Sequence, residues 1–200
     1  MSASTIKKDI LNVPNILTLI RIVVIPLLMY LMYLGDPVSC MYAALIFTGA
    51  AITDFLDGYI ARKQGLVSLT GKFLDPLADK LIVMATLVML VYLGWLETWI
   101  VVLVLARETS ITGLRAIAAT EGIVIAARSG GKYKTAFQLC GILGMIIHYE
   151  YVGQWFLFEG PVRYSEIGYW LFMVSVIFSL YSGAQYFMGF LKGIDGQEAA

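Results

Sequence analysis

The stretch Asp54-Phe-Leu-Asp57-Gly58-Tyr-Ile-Ala61-Arg62, followed after eight residues by Gly71-Lys-Phe-Leu-Asp75-Pro-Leu-Ala-Asp79, sets four aspartates inside apolar segments. An ionised carboxylate at the centre of a lipid-facing helix costs roughly 2.5–3.5 kcal/mol on insertion scales, so four of them demand a compensating partner. The spacings i,i+3 and i,i+4 put each pair on one helix face, and two such helices side by side would converge all four carboxylates. Such hard oxygen ligands suit Mg²⁺, Mn²⁺ or Ca²⁺, no soft ligand stands nearby, and divalent cations imply phosphate chemistry. Four charges on two helices could hold two divalent ions that bridge phosphate oxygens. Gly58 and Gly71 leave no Cβ in the way of a close-approaching ligand. Arg62 lies two turns from Asp54 on nearly the same face, placed to hold a phosphate or a carboxylate. Pro76, directly after Asp75, is tolerable near a helix start or at a kink.

The rest of the chain sets these aspartates in a membrane. Its 200 residues are 60% hydrophobic and only 14% charged, with a mean hydropathy of +0.81. A soluble domain carries about 25% charged residues, so a polytopic membrane protein is expected. The net charge of zero says nothing about partners, and no nucleic-acid partner is expected. Cys40 and Cys140 lack any CxxC-type spacing and read as small apolar packing residues. The single histidine, His148, falls near a helix end at a membrane boundary and is given no catalytic role. Chemistry here must run on carboxylates, Lys and Arg.

Hydrophobic stretches of about twenty residues recur, predicting six transmembrane helices: Asn15–Leu34, Met41–Arg62, Phe73–Leu93, Trp99–Ala119, Tyr133–Val152 and Ile167–Leu191. The expected fold is therefore an all-α integral membrane domain spanning residues 1–200, with a short tail over 192–200. Ser2–Val13 mixes Lys7, Lys8 and Asp9 with Ile6, Ile10 and Leu11, and is read as a short interfacial helix on the membrane surface. A cleaved signal peptide fits less well, because the following apolar run is too long and contains Arg21. Lys7, Lys8, Arg62, Lys63, Lys72, Arg128, Lys132, Lys134 and Lys192 fall on one side of this topology. The other side shows Asp36, Glu97, Glu150, Glu159 and Glu166, with Arg163 as its only cation. Both termini are expected to be cytoplasmic, with the four aspartates toward that same side. Trp95, Trp99, Tyr151, Trp155 and Tyr164 gather at the outer boundary and read as interface anchors.

The pattern D-x-x-D-G-x-x-A-R-x8-G-x-x-x-D-x-x-x-D, with all eight fixed positions present, resembles the signature of the CDP-alcohol phosphatidyltransferase family. The resemblance implies six transmembrane helices, a homodimer, and attack of an alcohol hydroxyl on the β-phosphate of a CDP-linked lipid with expulsion of CMP. It further implies that Asp54, Asp57 and Asp75 are metal ligands, and that Asp79 both contacts metal and serves as general base. Gly58, Ala61, Arg62 and Gly71 would line the cytidine diphosphate site. The cofactor expected is Mg²⁺ or Mn²⁺ as two ions, and the setting a bacterial cytoplasmic membrane with the active site facing the cytoplasm.

Two further stretches resemble the branch of the family that uses CDP-diacylglycerol as donor and sn-glycerol 3-phosphate as acceptor. One is Asn12-Val-Pro-Asn15-Ile-Leu-Thr18-Leu-Ile-Arg21; the other runs from Ala106-Arg107-Glu108 through Thr112-Gly-Leu-Arg115 to Gly131-Lys132-Tyr-Lys134-Thr135-Ala-Phe-Gln138. A charge argument agrees. Glycerol 3-phosphate brings close to two negative charges into an anionic pocket, so it needs several cations, and Arg107, Arg115, Lys132 and Lys134 are candidates. Simpler roles stand beside this one: positive-inside anchoring for the lysines, and an ion pair with Glu108 or a motif aspartate for Arg107. Arg21 could face lipid phosphate, substrate or a structural carboxylate. Asn15 and Thr18 are read either as helix caps or as contacts to the CDP-lipid. Competing functions are a sister enzyme using inositol phosphate, serine or phosphatidylglycerol as acceptor, and a cation- or proton-coupled transporter. A transporter predicts acids spread through the membrane thickness, whereas these four cluster beside glycines and an Arg.

Overall fold

The computed structural model describes residues 13–64, 69–121, 130–155 and 158–198, and side chains over 16–54, 78, 80–121, 133–150 and 162–193. Among the described residues there are six helices: α1 (Val13–Leu34), α2 (Pro37–Gln64), α3 (Leu69–Tyr92), α4 (Thr98–Thr120), α5 (Gly130–Ile147) and α6 (Tyr164–Glu198). An antiparallel hairpin, β1 (Glu150–Trp155) and β2 (Phe158–Arg163), separates α5 from α6. The expected interfacial helix over Ser2–Val13 lies outside the described residues apart from Val13, which opens α1.

Among the described residues, three segments are long and apolar enough to cross a membrane: Ile16–Leu34, Pro37–Asp54 and Tyr164–Gly193. Lys80–Tyr92 and Tyr133–Ile147 are apolar but shorter. The 22 residues of α1 rise about 33 Å, enough to cover a hydrocarbon core of about 30 Å. Large apolar side chains point outward along it, among them Ile20, Val23, Leu27, Tyr30 and Tyr33, as they would in lipid. Hydroxyls inside helices bond back to their own backbone, Thr48 to the Ala44 carbonyl at 2.7 Å and Thr86 to that of Ile82 at 2.7 Å. In an apolar surround such closure avoids an unsatisfied donor.

The chain divides into two compact units. The first holds residues 1–93 and 146–163, and in it α1 packs against both α2 and α3. Its core is Leu28 and Met32 from α1, Cys40, Ala43 and Phe47 from α2, and Ile82, Leu87 and Leu90 from α3. The turn from α1 to α2 is short for a local reason. Gly35 takes φ +67°, a conformation that L side chains resist, and Asp36 then caps α2. Its Oδ1 accepts from the backbone N–H of Val38 at 3.1 Å and of Ser39 at 3.0 Å, with Pro37 as first helical residue. These bonds, the Ser39 ones foremost, hold the Asp36 carboxyl below the ordinary aspartate range. The Tyr149 hydroxyl donates to the Gly35 carbonyl, tying the start of the hairpin to this turn.

The second unit holds residues 94–145 and 164–200, with α4 packed on α6 and a core of Ile100, Val104, Ile111, Met145, Phe172 and Val176. Helices α5 and α6 touch backbone to backbone. A Cβ added at Gly141 would lie 2.6 Å from the Phe172 nitrogen, and one at Gly168 would lie 2.6 Å from the Met145 nitrogen.

Two helix boundaries and one burial differ from the sequence expectation in ways that matter here. Helix α5 stops at Ile147 rather than Val152, and the Glu150–Arg163 segment pairs as strands in register Glu150 to Arg163 and Trp155 to Phe158. Helix α3 begins at Leu69 rather than Phe73, which places Pro76 inside the helix instead of its first turn. Cys40 is buried as expected, but Cys140 is exposed on α5 and so is not a core packing residue.

Candidate active site

The first unit carries the aspartate motif. Asp54 and Asp57 lie on α2 and Asp75 and Asp79 on α3, so both spacings fall within continuous helix as the pattern requires. The side chains of Asp57, Gly58, Ala61, Arg62, Gly71, Asp75 and Asp79 lie outside the described residues, as do those of Asn15 and Lys132.

Asp54 is described, and it has a partner. Arg21 of α1 donates through Nη1 to Asp54 Oδ1 at 2.5 Å, with the guanidinium almost fully buried and the carboxylate about a third exposed. Of the three readings open for Arg21, the structure shows a carboxylate. The pair has a geometric consequence: it fixes the orientation of the Asp54 carboxylate. Asp54 Oδ2 has no protein partner among the described residues, so the carboxylate keeps lone pairs for a further ligand. A partly exposed, all-oxygen donor of this kind fits a hard divalent cation. Thr18, one turn before Arg21, is fully buried in the second turn of α1. A helix cap is thereby set aside for Thr18.

The second unit gathers three of the basic candidates. Arg107 sits midway along α4, and its guanidinium is held on three sides. Nε donates to the Ser179 carbonyl at 2.9 Å, Nη2 to Ser182 Oγ at 2.8 Å, and Nη1 to Glu108 Oε1 at 3.0 Å. The same Glu108 Oε1 accepts from the Lys134 ammonium of α5. Lys134 is buried, which is not the posture of a lysine that merely anchors a helix end in water. Arg115, two turns beyond Arg107 on α4, lies over the Tyr186 ring at 5.4 Å and is exposed.

Arg107, Glu108 and Lys134 are thus brought together, with Arg115 further along the same helix. The ion pair between Arg107 and Glu108 that the sequence offered as a simpler role is present. What sequence reasoning missed is α6, whose Ser179, Ser182 and Gly183 receive Arg107. A Ser-x-x-Ser-Gly run in an apolar helix carries no charge signal, and the Ser179 carbonyl that receives Arg107 is one that any residue would offer.

Known proteins resemble this chain over most of its length. Residues 11–181 match the family described as CDP-alcohol phosphatidyltransferase. The chain is 38% identical to the CDP-diacylglycerol–glycerol-3-phosphate 3-phosphatidyltransferase of Bacillus subtilis (strain 168), over 88% of this chain and 93% of that protein. It is 40% identical to the protein of the same name from Rickettsia bellii, over 68% of this chain and 75% of that one. It is also 33% identical to a protein named probable phosphatidylglycerophosphate synthase from Mycobacterium tuberculosis, over 94% of this chain and 85% of that one.

Proposed function

This chain belongs to the CDP-alcohol phosphatidyltransferase family, and on that premise we infer that it transfers the phosphatidyl group of CDP-diacylglycerol to sn-glycerol 3-phosphate, giving phosphatidylglycerophosphate and CMP. The observation that carries the acceptor is the identity of 38% across 88% of the chain to an enzyme named for that reaction. The buried cluster of Arg107 and Lys134 supports it, because a phosphomonoester needs cations that inositol or serine does not. It is an integral membrane protein, as its apolar helices and its family agree.

The reaction is a displacement at the β-phosphorus. The acceptor hydroxyl oxygen forms the new P–O bond, the bond to CMP breaks, and the hydroxyl proton goes to Asp79. A hydroxyl has a pKa far above 7, so a carboxylate beside it helps mainly by accepting the proton as the bond forms. Asp54, Asp57, Asp75 and Asp79 would hold two Mg²⁺ or Mn²⁺ ions, whose chemistry when bound is to neutralise the diphosphate and the charge on departing CMP. Arg21 keeps Asp54 aimed for that role. Gly58, Ala61, Arg62 and Gly71 would line the cytidine diphosphate site, with Asn15 and Thr18 near it. Arg107, Arg115, Lys132 and Lys134 would receive the acceptor phosphate. The donor's acyl chains stay in the bilayer while its headgroup enters from the cytoplasm, in a homodimer of a bacterial inner membrane.

The deciding test is CMP release by purified protein in detergent, with CDP-diacylglycerol and Mg²⁺ or Mn²⁺, with and without sn-glycerol 3-phosphate. Release that needs both metal and glycerol 3-phosphate is expected. Release only with another alcohol would move the chain to a sister activity, and none with any acceptor would end the reading.

A further inference from the structure

We propose that Glu108 is a positioning residue of the acceptor site, holding the Arg107 guanidinium and the Lys134 ammonium as a fixed pair for the phosphate of an incoming phosphomonoester. The proposal rests on the reading that Arg107 and Lys134 meet that phosphate, and it assigns a role to a carboxylate that the reaction itself does not use.

The geometry begins with one oxygen. Glu108 Oε1 accepts from both Arg107 Nη1 and Lys134 Nζ, so a single carboxylate oxygen sets the separation of two cations from different helices. Helix α6 fixes the remaining freedom of the arginine. The Ser179 carbonyl and the Ser182 hydroxyl take two more of its donors, and Gly183 leaves the space beside it. A Cβ at position 183 would lie 3.2 Å from Arg107 Nε, so a larger residue there would press on the guanidinium. Three of the five N–H donors of Arg107 are engaged among the described residues, which leaves two for a ligand.

Charge points the same way. Glu108 accepts from both cations, and in the sequence along 105–120 of α4, 133–147 of α5 and 172–191 of α6 the only further charge is Arg115. Buried ion triads contribute little net stability, because desolvation offsets their attraction. A cluster serving only as a brace has no need of excess positive charge, whereas one that receives a phosphate does. A free Lys134 would also hold many rotamers, and each must be given up on binding unless the protein has already fixed it.

The test uses the full chain in detergent and four proteins: wild type, Glu108→Gln, Glu108→Asp and Ser182→Ala. Two quantities are read, the KM for each substrate and the rise in unfolding temperature given by sn-glycerol 3-phosphate alone. Glu108→Gln is expected to raise the KM for glycerol 3-phosphate about tenfold while that for CDP-diacylglycerol stays within about twofold. It should also lose the thermal stabilisation by glycerol 3-phosphate, and Glu108→Asp should restore part of both. Equal rises in the two KM values, or full stabilisation retained in Glu108→Gln, would overturn the proposal. Should Glu108→Gln fail to fold, Ser182→Ala decides: a rise in the glycerol 3-phosphate KM alone supports it, and no selective rise removes it. The two readings fail separately. Wild type stabilised by glycerol 3-phosphate but releasing no CMP would sink the activity and leave the clamp. CMP release without a selective effect of these variants would sink the clamp and leave the activity.

Discussion

Arg21 shows how much one side chain is asked to do here. Its guanidinium is buried, so the carboxylate of Asp54 is what makes that burial tolerable, and the carboxylate in turn depends on the guanidinium. Arg21→Met should therefore lower stability by about 1–3 kcal/mol, less than a fully buried pair because Asp54 is partly exposed, as read by denaturant unfolding in detergent. No loss of stability would mean that solvent already carries the charge. Asp79→Asn keeps the size of the side chain and removes the proposed proton acceptor, so on that reading kcat should fall by about 100-fold or more while CDP-lipid still binds. A near-normal rate would take the general-base role away from Asp79. His148, between α5 and β1 at φ +52°, packs edge-on to Tyr149 at 5.4 Å, and burial pushes its imidazole below the ordinary histidine range. The unfolded chain then binds the proton more readily than the folded one. Its contribution is fully present above the unfolded value of about 6.5 and is lost as pH falls from there through the folded value. Unfolding followed from pH 7.5 to 5 should show this loss, and His148→Gln should flatten it.

At the scale of elements, α5 and α6 are joined by backbone contact that only glycine permits. A Cβ at Gly144 would lie 2.7 Å from Gly168 Cα, and all the nearest atoms at Gly141, Gly144 and Gly168 except one are backbone, which cannot swing aside. Gly168→Ala should cost about 1–3 kcal/mol and shift the α5–α6 contact that presents Lys134, so stability and glycerol 3-phosphate affinity should fall together. Retained stability would show that the helices can part without penalty. This contact was not legible in the sequence, where the glycines look like ordinary small residues in apolar runs. The helices were legible, because a long apolar run in a charge-poor chain has few other solutions. The hairpin was not: Glu150–Val152 continues an apolar run closely enough to read as the end of α5, and its strand pairing depends on partners nine to thirteen residues further along the chain. The aspartate motif was legible because its spacing matches helical period, whereas Glu108 became informative only once α5 brought Lys134 to it.

For the whole molecule, α4 is one of the helices on which the number of crossings turns, beside the shorter apolar runs of α3 and α5. Its 23 residues are long enough to span, yet Arg107, Glu108 and Arg115 keep it outside the plainly apolar class. Those charges would be costly if they faced lipid. Arg107 and Glu108 do not stand alone, since the pair is closed by Lys134 and by two groups of α6, which lowers the cost of placing α4 inside a membrane. If all six helices cross, both termini lie on one side; if α4 alone stays out, five crossings put them on opposite sides. Lys7 and Lys8 before α1, Arg62 and Lys63 in the last turn of α2, Lys72 in the first turn of α3 and Lys192 toward the end of α6 favour the first arrangement, with those ends toward the cytoplasm. Reporter fusions after Ala200 and between α2 and α3 should both report the cytoplasm, and a fusion at the β1–β2 turn should report the opposite side. A C-terminal reporter outside, with the α2–α3 reporter inside, would take α4 out of the membrane. It would also put Lys134 and Arg107 in water, where a tight phosphate site would have to compete with bulk solvent and salt.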